Sequence, residues 1–113
     1  MVSGVPTKEE LDKLKRYVGR ELTVTVHIDE SVWDYGDIEH RRYDVDYRMK
    51  VESITADYVR GTLSEEKAWK HKDDVVVQRF SIFMKGTLPW EAGTTKVVTC
   101  IQFDDEILYD RRG

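Results

Sequence analysis

Asparagine is absent from this chain, glutamine occurs only at Gln78 and Gln102, and cysteine only at Cys100. A lone cysteine excludes an intrachain disulfide and fits a reducing compartment, so a cytoplasmic location is the expectation. Its segment, Lys96-Val-Val-Thr-Cys-Ile-Gln-Phe103, reads as a strand, which makes Cys100 a small buried side chain rather than a nucleophile. Depletion of the thermolabile residues Asn, Gln and Cys beside abundant Glu, Lys and Arg is a pattern of proteins from hot environments. It predicts a melting midpoint above the mesophilic range of about 45–65 °C.

Other absences exclude whole mechanisms. No apolar run approaches the ~20 residues that span a bilayer, and the first residues lack the charged start and apolar stretch of a secretory leader, so no membrane partner is expected. There is no glycine-rich phosphate loop, no G-x-S-x-G, no paired-cysteine motif and no H-E-x-x-H. Standard nucleotide-dependent and zinc-dependent mechanisms therefore have no foothold. No cofactor is expected, and the balance leans away from an enzyme.

What is present suits one core. The 113 residues are 40% apolar, enough for a single domain spanning 1–113 and too few for two. Charged residues reach 35%, against roughly 25% in an average domain, but they are interspersed, as on a solvated surface. The net charge of −4 argues against a dedicated nucleic-acid binder, which needs clustered Lys and Arg to release counterions.

The N-terminal segment carries a helix signature. Thr7-Lys8-Glu9-Glu10 is a capping box, in which the Thr7 hydroxyl accepts from the Glu10 N–H and the Glu10 carboxylate reaches back. Acidic Glu9 and Glu10 followed by Lys13, Lys15 and Arg16 complement the helix dipole. Leu11, Leu14 and Val18 form an apolar stripe, and Gly19 suits a left-handed cap, which predicts a helix over about 7–18.

Beyond Gly19 the period changes from 3.6 to 2. Leu22, Val24, Val26 and Ile28 share one face of a half-buried strand. Residues 29–37 break that pattern and read as a long acidic, aromatic loop. Alternation returns over Tyr43, Val45, Tyr47, Met49 and Val51, with a bulge or bend expected at Ser53 and Ile54. Thr55-Ala56-Asp57 is a turn into a strand over 58–63, where Gly61 marks a kink or a close approach. Residues 64–74 form a polar connection. The run 74–85 is apolar on much of both faces and reads as one central strand. Residues 86–95 form a loop, 96–103 a strand, and Asp104-Asp105 a turn into a short last strand. The fold class is α+β: one helix, then five or six mostly antiparallel strands over about 21–110. They would close as a small SH3-like or Sm-like barrel, or curve as a cystatin-like sheet, with the barrel preferred. This is a likeness of element order alone and carries no functional weight.

Three groups of side chains are candidates for function. His27, Asp29, Asp37 and His40 flank the first loop, and if the two long strands form a hairpin the two imidazoles would approach with carboxylates nearby. Imidazole with carboxylate suits a divalent metal or acid–base chemistry near neutral pH. Yet no compact ligand spacing is present, and ordinary exposed polar positions explain the same residues. Trp33, Tyr35, Trp69 and Trp90 fall in connections, where aromatics line pockets, anchor partners or fold back to plug a barrel end. Arg41, Arg42, Arg48 and Lys50 alternate with Asp44, Asp46 and Glu52, a pattern that fits cross-strand ion pairs better than phosphate contacts.

The leading expectation is a non-catalytic interaction or assembly module, binding a protein partner or itself through sheet edges and loop aromatics. It predicts that Trp33→Ala or Trp90→Ala weakens association without unfolding the chain. The alternative is a small-molecule or metal binder, or an enzyme, with a pocket in the curved sheet. A nucleic-acid-binding small barrel ranks third. Residues 29–46 carry seven acids against two arginines, which also suggests mimicry of a nucleic acid.

Overall fold

The computed structural model describes residues 5–64, 75–81, 83–85 and 93–112, with backbone alone for 32–34 and 83–85. Helix α1 spans Lys8–Lys15. Thr7 is its N-cap and both arms of the capping box form: Glu10 N–H donates to Thr7 Oγ1 over 3.2 Å, and Thr7 N–H donates to Glu10 Oε1 over 2.9 Å. The helix is shorter than its apolar stripe suggests. From Arg16 the bonds tighten to the residue three back, Arg16 to Lys13 and Tyr17 to Leu14, so Val18 rotates off the packed face and is exposed. Gly19 then takes φ +92° and donates to Val51 O over 2.8 Å, turning the chain into the sheet. Leu14 alone of the helix is fully buried, with Leu11 and Tyr17 packed beside it.

Strands follow at Glu21–Asp34 (β1), Asp37–Ile54 (β2), Tyr58–Leu63 (β3), Val75–Arg79 (β4), Phe83–Lys85 (β5), Thr94–Phe103 (β6) and Glu106–Asp110 (β7). All pairings are antiparallel. Six strands run in the order β4-β3-β2-β1-β6-β5, and β7 pairs with β6 off that path. The sheet curls around one core built on Leu22, Val24 and Val26 of β1, Met49 and Val51 of β2, and Val98 and Ile101 of β6. Its ends meet through side chains. Phe80, just after β4, packs against Tyr109 of β7 with ring centroids 5.0 Å apart in an edge-on arrangement. No hydrogen-bonded pairing joins β4 to β6 or β7 among the described residues, so the sheet is open and not a closed barrel.

Two expected elements differ. The run 74–85 is not one central strand. Phe80 turns inward to full burial, its N–H held by Asp57 O at 3.1 Å, and the chain bends through Phe80 and Ser81. The run is thereby split into β4 and β5, which lie at opposite ends of the strand order. The centre belongs instead to β1 and β2. Gly61 is a close approach, as its position suggests: a Cβ there would lie 2.4 Å from Lys50 O, beside a register shift between Val51 and Ser53.

The second difference creates the molecule's most distinctive feature. Residues 29–37 are not a loop. β1 runs on to Asp34, β2 starts at Asp37, and Tyr35-Gly36 alone make the turn, with φ of +47° and +89°. Two consecutive positive φ values are the signature of a tight primed turn. The pairing is unbroken from Glu21↔Lys50 to Asp34↔Asp37.

Candidate functional site

Burial along the hairpin changes abruptly. Tyr47, Met49 and Val51 of β2 are buried, whereas every residue from Asp37 to Asp44 is exposed. On β1 the last core residue is Ile28. Outward from there the two strands leave the body as an arm. β6 supports β1 only as far as Glu30, opposite Thr94, with one more bond from Ser31 N–H to Gly93 O. β3 supports β2 only from Met49, with one bond from Ser64 N–H to Arg48 O at 2.8 Å. The radius of gyration of 15.1 Å reflects the projection, since a compact chain of this length would have about 13 Å.

One face of the β1–β2 hairpin is a ladder of polar pairs. Glu21 accepts from Arg48 at 2.6 Å. Thr25 Oγ1 donates to Asp46 at 2.8 Å, and His27 Nδ1 lies 2.8 Å from Asp44 Oδ1. Arg42 Nε donates to Asp29 at 3.1 Å, and Ser31 Oγ lies 3.0 Å from His40 Nδ1. Each rung joins residues that the antiparallel register places opposite or diagonal to each other, which is how a two-stranded ribbon with little apolar burial stabilises itself. The other face is mixed. Tyr43 is 42% exposed, and partial burial together with the Glu30 carboxylate raises its phenol above the ordinary value.

The histidine group is therefore not brought together. His27 stands opposite Asp44 and His40 opposite Ser31, which separates the imidazoles by four residues of strand, roughly 13 Å. Asp29 is committed to Arg42, and Asp37 is an exposed residue beside the turn. Among the described residues no group of three or more His, Cys, Asp or Glu could hold a metal ion. Of the aromatics, Tyr35 is fully exposed at the turn, and Trp33 lies in β1 opposite Ile38 rather than in a connection. Trp69 and Trp90 fall outside the described residues.

At the base of the arm lies an open cleft of about 330 Å³, lined by His27, Asp44, Thr99, Arg111 and Arg112. One imidazole and two guanidinium groups face it, and each has a partner. His27 is held by Asp44, Arg112 by Asp110 at 3.2 Å, and Arg111 by both oxygens of Glu10. The two arginines here were not among the candidates read from the sequence. Arg111 N–H continues the strand by donating to Thr99 O, and its guanidinium lies 4.6 Å from the Tyr109 ring centroid.

A second missed feature is the free edge of β2. The bond from Ser64 to Arg48 O shows that the backbone groups of Arg48 face β3. Strand alternation then points the N–H and C=O groups of Asp46, Asp44, Arg42, His40 and Ile38 the same way. No described residue pairs with them. The length of the even-spaced polar pattern from His40 to Asp46, ahead of the buried alternation, was the available sequence signal.

Comparison with known proteins found no match: no family model fits the chain, and no curated protein and no solved structure matches it. Among the described residues no helix is long and apolar enough to cross a membrane.

Proposed function

We propose that this chain is a non-catalytic interaction module that receives a β-strand along the outer edge of its β1–β2 arm. One observation carries the reading: β2 from Asp37 to Tyr47 has a strand partner on one side only among the described residues. Such an edge offers a row of donors and acceptors to another chain, and proteins that do not use one shorten it, cover it or interrupt it with proline. Here it is long, regular and free of proline, and the exposed Tyr35, Ile38 and Tyr43 add apolar contact area along it.

The test is a substitution at an outward-facing amide. Arg42→Pro removes one donor from the edge and leaves the backbone bonds to β1 in place, at the cost of the exposed Arg42–Asp29 side-chain pair. Association, with itself or with another chain, is expected in the wild type by light scattering and affinity capture, and is expected to be lost in Arg42→Pro with the thermal transition retained. Association that Arg42→Pro leaves unchanged sinks the reading.

A second reading rests on the cleft beside His27, whose volume of about 330 Å³ lies at the lower end of the range for small-molecule sites, about 300–1,000 Å³. A small anionic ligand would compete with Asp110 for Arg112. The ligand would raise the melting temperature in the wild type and not in Arg112→Gln. The paired state of every cation in the cleft ranks this reading second.

A further inference from the structure

We infer that the strand received by the β2 edge is the same edge of a second copy, in an antiparallel register that places Tyr43 on the two-fold axis. This deepens the reading above and rests on it. Two outward-facing edges pair only in registers that set even-numbered residues opposite even-numbered ones, because only those carry backbone groups pointing across the gap. That leaves a short series of registers, centred on residues 41 to 45, and the side chains discriminate among them.

Centring on Arg42 sets that guanidinium against its own copy, and centring on Asp44 does the same for a carboxylate. A centre at residue 41 opposes two Arg41 side chains, and a centre at Val45 sets Asp44 against Asp46. Like charges directly opposite destabilise a strand pair. The register centred on Tyr43 alone sets opposite charges against each other and leaves no like charges directly opposed. It places Arg42 against the second copy's Asp44 and His40 against its Asp46, each twice by symmetry, with the two tyrosines stacked between them on the opposite face.

The register also continues the ladder already present. Asp44 is held by His27 on the inner side, at 2.8 Å, and would receive Arg42 of the other copy on the outer side. Arg42 is held by Asp29 at 3.1 Å, and would receive Asp44 of the other copy. The polar rungs of two arms thereby merge into one continuous network. The paired stretch, Glu39 to Tyr47 of each copy, stays within the free edge and clear of β3, which begins its pairing at Met49.

The experiment reads register as well as mass. Sedimentation of the full chain from micromolar to millimolar concentration is expected to show a monomer–dimer equilibrium. Single cysteines at positions 41 to 45 then report the centre of the pairing, with the native Cys100 buried and silent. Tyr43→Cys is expected to form a disulfide dimer under mild oxidation, and the cysteines at 41, 42, 44 and 45 are not. Arg42→Asp and Asp44→Arg are each expected to be monomeric alone and to form a one-to-one dimer when mixed, because the mixture restores opposite charges at all four positions. Recovery on mixing cannot come from misfolded chains. A dimer that cross-links elsewhere, or that survives either charge reversal, overturns the register. A wild-type monomer at every concentration overturns self-pairing. If that monomer still captures another chain through an edge that Arg42→Pro closes, the edge reading stands without it; if capture ignores Arg42→Pro, both fall.

Discussion

Arg111 and Glu10 come from opposite ends of the sequence, and their bidentate contact ties the N-terminal helix to the strand that ends the sheet. Both side chains are 24% exposed, so solvent only partly screens them. The Arg111 hydrogen bond, reinforced by the Thr7 cap, holds the Glu10 carboxyl at about 2, well below its ordinary 4.5, against a smaller opposing effect of burial. The sign follows from linkage. The folded form binds the proton more weakly than the unfolded one, so the stabilisation is complete above pH 4.5 and is lost as pH falls toward 2. Glu10→Gln is therefore expected to lower stability at neutral pH by about 1–2 kcal/mol, a figure discounted for partial exposure. It should also flatten the acid limb of the stability curve between roughly pH 5 and pH 2. Urea titrations across that range check both effects. A variant whose acid limb matches the wild type would show that the contact carries no net energy.

Element by element, the clearest sequence signals were local. The capping box at Thr7, the strand at Tyr58–Leu63 and the turn at Asp104-Asp105 were legible because each rests on backbone chemistry within a few residues. The hairpin arm was not. Alternation reports a strand only when one face is buried, and beyond Ile28 and Tyr47 neither face is. The remaining clue was Tyr35-Gly36 between two aspartates, a weak form of the Asn-Gly turn signal. Tyr35 at φ +47° is in a region that tyrosine occupies rarely and asparagine readily. Tyr35→Asn is accordingly expected to stabilise the arm by about 0.5–1 kcal/mol. Amide exchange should slow for residues 31–41 and stay unchanged in the core strands. Faster exchange in the arm would mean that the Tyr35 ring contributes more than its backbone strain costs.

At the scale of the whole molecule the chain divides into a body that holds the core and an arm that projects from it. Among the residues from Asp29 to Asp46 whose side chains are described, only Val45 packs against the buried apolar cluster. The core and the predominance of antiparallel strands could be read from composition and from the alternation of Leu22–Ile28 and Tyr47–Val51. Strand order could not, because the split of the 74–85 run depends on where Phe80 finds space against Tyr109, a contact between distant segments. Nor could the candidate site, since an edge is defined by strand order, and among the described residues only β1 pairs with β2 from Asp37 to Tyr47. The division itself is testable by shortening the arm. Removing Glu30–Trp33 together with Ile38–Arg41 deletes four matched rungs and joins the existing turn to the Asp29↔Arg42 pair. Even-numbered deletions keep each side chain on its own face. The shortened chain keeps every residue of the buried apolar cluster and is expected to unfold cooperatively, within about 1–2 kcal/mol of the wild type. Small-angle scattering should show its radius of gyration falling from 15.1 Å toward the compact value of about 13 Å. It is expected to associate more weakly than the wild type, since the cut takes away His40, which the paired register sets against Asp46, while leaving Arg42, Tyr43 and Asp44 in place. Loss of cooperative unfolding would instead make the arm a structural member of the fold. Association as tight as that of the wild type would move the binding surface back to the body, to the outer edge of β4, where Val75 and Val77 are exposed.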